Sequence, residues 1–174
     1  MGRHPTFDMD ILDKFTELVN NNLTPIIYLA IDPGKFNGVC GYDEKYQLHF
    51  MHVVASTDMT KFIRAFNNVT TCIIEDFKLY PNKAFEQAYS DMETPRVIGR
   101  VEDWATMRDI RVIKQGASIK KTGYLWLGKT PPSKSSNQND PMDAHVHFIY
   151  WAVMHNKINA IDLLKKTAGN SLYK

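Results

Sequence analysis

Six consecutive residues, Ile26-Ile27-Tyr28-Leu29-Ala30-Ile31, are apolar, and the run ends abruptly at Asp32-Pro33-Gly34. A short run that is apolar on both faces predicts a strand buried on both sides, in the middle of a sheet. A second run, Val69 to Glu75, has the same character and ends in Glu75-Asp76. Two doubly buried strands demand cover on both faces, which restricts the chain to a layered α/β architecture. The length of 174 residues suits one domain of ordinary size.

The remaining segments are read around these two strands. Gly38 to Tyr42 and Gln47 to Val54 read as two further strands, with Asp43-Glu44-Lys45 turning a hairpin between them. Ser56 to Asn67 is predicted as a helix capped by Ser56 or Thr57, with Phe62, Ile63 and Phe66 on one side. Asn82 to Ser90 and Thr94 to Arg108 read as helical, the second with Pro95 in its first turn. Ile110 to Lys114 is a short strand, Thr130 to Asn139 a loop, and Pro141 to Met154 a strong final helix. Phe7 to Asn22 forms an amphipathic helix ahead of the first strand, making residues 1–24 an N-terminal helical extension and 25–174 the main domain. The order predicts a mixed five-stranded sheet, an antiparallel meander joined to parallel strands and flanked by helices.

Composition narrows the classes. The longest apolar runs, Ile26 to Ile31 and Phe148 to Met154, fall far short of the ~20 residues that span a bilayer, so no membrane partner is expected. No apolar core of a secretory signal opens the chain. The two cysteines, Cys40 and Cys72, make neither a disulfide framework nor a zinc site, so a reduced, cytoplasmic setting is the default expectation. The net charge of +2 is unevenly spread: Ile110 to Asn139 holds six lysines and arginines and no acid, leaving the rest net acidic. Such a segment is either a polyanion footprint or a solvated loop face.

The chemistry lies in the acids. Asp32 and Glu75 end strands whose C-terminal ends share one sheet edge if the strands are parallel. The final helix adds Asp140 and Asp143 at a spacing of three, and His147 four residues further, on one face. Taken singly, Asp-Pro-Gly is a turn, Asp140 and Asp143 are helix-start residues, and His147 is a core or surface histidine. Together they form a carboxylate cluster whose repulsion calls for a compensating cation. A divalent metal such as Mg²⁺ fits oxygen donors of this kind, and two such ions serve phosphodiester hydrolysis.

Ile31-Asp32-Pro33-Gly34 with Asn37-Gly38-Val39, Ile73-Ile74-Glu75, Lys120-Lys121 after Gln115, and Asp140-Pro141-Met142-Asp143-Ala144 with His147 together resemble the RuvC-like Holliday-junction resolvases of the RNase H-like superfamily. In look the chain is closest to the phage-encoded members. The resemblance spans about residues 26–153. It implies Asp32, Glu75 and Asp143 as metal ligands, Asp140 as a fourth, and His147 as an outer ligand or phosphate contact. Asp76 is the alternative to Glu75, which fits the register better. Lys120 or Lys121 would contact the scissile phosphate or attacking water. Two Mg²⁺ ions, with Mn²⁺ as a substitute, a homodimer, and branched DNA (a four-way junction, forks or flaps) follow from the same likeness, as does a host cytoplasm if phage-encoded. Phe77 or Tyr80 would supply an aromatic wedge. The departure is the long segment before the first strand.

Arg111, Lys114, Lys129 and Lys134 are the candidate DNA-backbone contacts. Tyr124 and Trp126 either stack on unpaired bases or plug a dimer contact. Three rival readings stand beside the resolvase. One is a YqgF-like RNA-processing nuclease on the same fold. Another is a catalytically silent branched-DNA-binding module. The third is an actin-like ATPase, which lacks here the second phosphate loop and the second lobe.

Overall fold

A computed structural model describes residues 25–78, 92–131 and 141–163 of the chain. The predicted helices Phe7 to Asn22 and Asn82 to Ser90, most of the Thr130 to Asn139 loop, and Tyr80, Lys134 and Asp140 lie outside them. The described residues contain five strands: β1 (Tyr28–Asp32), β2 (Phe36–Tyr42), β3 (Leu48–Ala55), β4 (Thr71–Glu75) and β5 (Arg111–Gln115). They also contain the α-helices α1 (Met59–Arg64), α2 (Glu93–Met107), α3 (Lys120–Trp126) and α4 (Pro141–Met154), and residues 160–163 are helical too. A 3₁₀ turn, Ala117–Ile119, leads directly into α3.

The strands form one sheet in the order β3-β2-β1-β4-β5. β1 pairs antiparallel with β2 and parallel with β4, and β5 is parallel to β4. The mixed sheet expected from the sequence is therefore the sheet observed, and β1 and β4 are interior strands as their double-sided apolarity required. Side chains alternate across a strand with period two. Leu29, Ile31, Cys72 and Ile74 consequently pack in one layer with α1 and α2. Ala30, Ile73 and the neighbouring Cys40 and Tyr42 pack in the other, beneath α3 and α4. Tyr42 stacks on Phe148 of α4 with ring centroids 3.4 Å apart, and its hydroxyl hydrogen-bonds His145 Nδ1 at 2.7 Å. Burial, with the nearby Lys129 charge, pulls His145 down to about 4, so it is a neutral core imidazole.

One predicted element changes and one is new. The helix expected over Ser56 to Asn67 shortens to α1, because residues on either side are spent in turns: Asp58 N–H bonds Ala55 O, and Phe66 N–H bonds Ile63 O. Neither Ser56 nor Thr57 is its cap; the cap position is Asp58, without a side-chain hydrogen bond. The basic segment also holds α3, a helix that was not expected. Its end is marked by Gly128, whose φ of 64° is the left-handed conformation that closes helices.

Candidate metal and nuclease centre

The same alternation that builds the core aims the acids. Asp32 follows Ala30 by two residues on β1, and Glu75 follows Ile73 by two on β4, so both side chains leave the sheet on the α3–α4 side. β1 and β4 are parallel, so these two ends lie at one edge. The turn after Asp32 is fixed by buried Asn37: its Oδ1 accepts the Gly34 N–H at 3.0 Å and its Nδ2 donates to Val54 O at 2.8 Å.

α4 contributes Asp143 and His147, one turn apart on the face turned to the sheet, and α3 contributes Lys120. The Lys120 Nζ lies 3.1 Å from Asp32 Oδ1, 2.7 Å from Glu75 Oε2 and 2.8 Å from Asp143 Oδ2. Three carboxylates from three separate elements thus meet around one ammonium. Tyr124, one turn beyond Lys120, donates its hydroxyl to Asp143 Oδ1 at 2.5 Å. His147 is fully buried, with Nε2 3.0 Å from Glu75 Oε2 and Nδ1 2.8 Å from Gln115 Oε1. Asp32, Glu75 and His147 each offer a donor atom within 4.8 Å of the others, the spacing of a metal-ligand set. Lys120 and Glu75 keep part of their surface open, so the cluster has access to solvent at its rim.

One lysine does not balance three acids. Burial drives the Asp32 carboxyl up, and although Lys120 opposes this, the Glu75 and Asp143 charges add to it, bringing Asp32 to about 8. Burial also pushes Glu75 up, but the His147 hydrogen bond and the Lys120 charge outweigh it and hold Glu75 at about 2. Lys120 loses some basicity to burial, yet the Asp32 and Glu75 charges keep its ammonium well above the ordinary range.

The other candidates fall elsewhere. Lys121 is exposed on α3, outside the cluster. Asp76 sits beyond the strand end, its N–H bonded to Gln115 O, and it is Glu75 that reaches the cluster. Phe77 is partly buried against the α1–α2 layer. Arg111 is exposed on the edge strand β5, while Lys114 on the same strand is ion-paired to Glu102 at 2.5 Å. Lys129 is half-buried just after α3. Tyr124 is neither a stacking platform nor a plug, because it is buried and committed to Asp143; Trp126 stacks on Tyr150. Sequence reasoning missed the contacts of Gln115 and Tyr124. The four-residue spacing of Lys120 and Tyr124 was the available signal, and it has meaning only once a helix is recognised there.

No protein-family model matches the chain, and no curated protein matches it. Solved structures do. The RuvC of T. thermophilus in complex with a Holliday junction substrate matches with a TM-score of 0.52 at 15% identity, over 75% of this chain and 96% of that one. A second Thermus thermophilus RuvC structure gives 0.47 at 16% identity, over 74% and 96%. The yeast mitochondrial Holliday junction resolvase gives 0.42 at 12%, over 83% and 86%. With its five-stranded mixed sheet, helices on both faces and acids at the ends of the two interior parallel strands, the chain has the RNase H-like fold of RuvC.

Proposed function

We propose that the chain is a structure-selective endonuclease of branched DNA that resolves four-way junctions by paired nicks. The observation that carries the reading is the meeting of Asp32, Glu75 and Asp143 around Lys120 at one sheet edge. The fold supports it, because the similar RuvC was solved with a Holliday junction substrate.

The donor set suits hard divalent cations: three carboxylates and an imidazole, already gathered about a positive charge and still carrying excess acid. Asp32, Glu75 and Asp143, with Asp140 and His147, would hold two Mg²⁺ ions, or Mn²⁺ in their place. Bound there, the ions supply activation of a water and offset charge at the scissile phosphate and departing 3′ oxygen. The strand ends fix Asp32 and Glu75 so that they need not reorganise during reaction. Tyr124 holds Asp143, and Lys120 turns its ammonium to the phosphate. Hydrolysis leaves a 5′-phosphate and a 3′-hydroxyl. Arg111, Lys129 and Lys134 bind the backbone, joined by Lys114 once its pair with Glu102 opens; Phe77 or Tyr80 wedges the junction. A homodimer supplies the two centres that paired nicks require.

The test is a gel assay on a synthetic immobile four-way junction with Mg²⁺ or EDTA, beside duplex, flap, fork and RNA. Paired, metal-dependent nicks are expected, and Asp32→Asn should retain below about a thousandth of the cleavage while junction affinity stays equal or tightens. Cleavage of RNA in preference to junctions would replace the substrate reading with the RNA-processing one. Junction binding with no cleavage of any substrate would leave only a silent binding module.

A further inference from the structure

Gln115 lies one shell behind the carboxylates, at the end of β5. Its Cα is in register with Glu75, and its backbone oxygen accepts the Asp76 N–H at 2.7 Å, so the backbone is tied to the strand that carries Glu75. It follows Ile113 by two residues and shares its α3–α4 face. Only 9% of Gln115 is exposed. Burying a flexible amide costs rotamer freedom and desolvation, and space-filling alone would be served better by Leu or Met. The amide is instead spent on one contact, Oε1 to His147 Nδ1 at 2.8 Å.

A side-chain carbonyl oxygen only accepts, so His147 donates from Nδ1. That fixes the ring plane and places Nε2 on the other side. Nε2 then faces Glu75 Oε2 at 3.0 Å, within the ligand set that includes Asp32. We propose that Gln115 is a positioning residue that anchors the His147 ring through Nδ1, so that Nε2 is aimed at the metal position as a nitrogen ligand beside Asp32 and Glu75. An imidazole anchored through its second nitrogen in this way is the usual means of orienting a metal-binding histidine. The inference rests on the metal reading of this centre given above.

Two variants of the full chain test it. Gln115→Met keeps the volume and removes the acceptor; Gln115→Glu keeps an acceptor oxygen at the same reach. Mn²⁺ binding is followed by electron paramagnetic resonance, and the protonated nitrogen of His147 by ¹⁵N-edited NMR of the metal-free protein. In the wild type, His147 Nδ1 is expected to carry a proton bonded to Gln115. Gln115→Met should remove the Nδ1 anchor, let the ring turn and weaken Mn²⁺ binding about 10–100-fold. Gln115→Glu should restore both the Nδ1–H signature and tight binding.

An unprotonated Nδ1 in the wild type would overturn the proposal. So would unchanged Mn²⁺ affinity in Gln115→Met, even if that variant melts at lower temperature, since the role would then be purely structural. Loss of Mn²⁺ binding in Gln115→Glu as well would mean that the amide donates to the ring, and would also overturn it. Failure of the underlying reading looks different: the wild type would take up no Mn²⁺, or Asp32→Asn would bind it equally well.

Discussion

Lys120 is the residue on which the centre's electrostatics turn. Its ammonium touches three carboxylates and stabilises a cluster that would otherwise be acid against acid. Removing it leaves partly buried negative charge without a partner. Lys120→Ala is therefore expected to melt several degrees below wild type without metal, yet to gain more from Mn²⁺, because no internal cation competes for the oxygens; thermal unfolding with and without Mn²⁺ checks both. Equal Mn²⁺-induced shifts in the two proteins would show that Lys120 does not share the ion's position. At this scale the sequence was legible where acids stop apolar runs, at Asp32 and Glu75, and where an acid and a histidine share one helix face, at Asp143 and His147. It was silent on Lys120 against Lys121, because two adjacent lysines differ only by the direction each takes from a helix. Gln115 and Tyr124 are ordinary in sequence, and their meaning comes from what lies opposite them.

Among the elements, α3 is the one whose placement decides the site. It approaches α4 closely because it carries Gly123: a Cβ there would lie 2.5 Å from Val146 Cγ1 and 3.0 Å from Val146 O. Val146 is β-branched and has little rotamer freedom in a helix with which to yield. Gly123→Ala should cost about 1–3 kcal/mol in urea unfolding. It should lower cleavage further than that stability loss explains, since Lys120 and Tyr124 ride on the same helix. Gly123→Ala combined with Val146→Ala should recover much of both losses. The glycine also explains why α3 escaped notice, for seven residues with Gly in the middle have weak helical propensity. The β2–β3 hairpin was more legible. Its Asp43 accepts the N–H groups of Lys45 and Gln47 at 2.8 and 2.9 Å and pairs with His49 at 3.0 Å. Burial pushes the Asp43 carboxyl up, but the His49 hydrogen bond and the two backbone donors outweigh it and hold it below its ordinary 3.8. A depressed pKa contributes stability above pH 3.8 and loses it as the pH falls further through the folded value. Asp43→Ala should thus cost about 1–3 kcal/mol at neutral pH. The gap between its urea midpoint and that of wild type should close in stronger acid; a gap of constant size would mean that the carboxylate charge plays no part.

The whole molecule brings together at one edge residues that the chain holds far apart. β1, β4 and β5 run parallel, and their C-terminal ends carry Asp32, Glu75 and Gln115. The described part of the acid-free basic segment, residues 110–131, supplies β5 and α3. Backbone binding of this kind weakens linearly in log affinity against log salt. Arg111→Ala should reduce that slope by about one and leave junction preference unchanged. An unaltered slope in a fluorescence-anisotropy titration would remove Arg111 from the footprint. Lys114, paired with Glu102, should affect the slope less. The sheet's topology was legible because burial on two faces admits few arrangements; the partner of each basic side chain was not, since charge counts carry no directions. One consequence concerns synthesis. Asp143 and His147 enter only with α4, which docks across β1, β2 and β4 and takes its first-turn carbonyl, Pro141 O, against Cys40 Sγ at 3.2 Å. A nascent chain can pair its strands on the ribosome without holding the full ligand set. On the proposed function, cleavage would begin only once translation had passed α4.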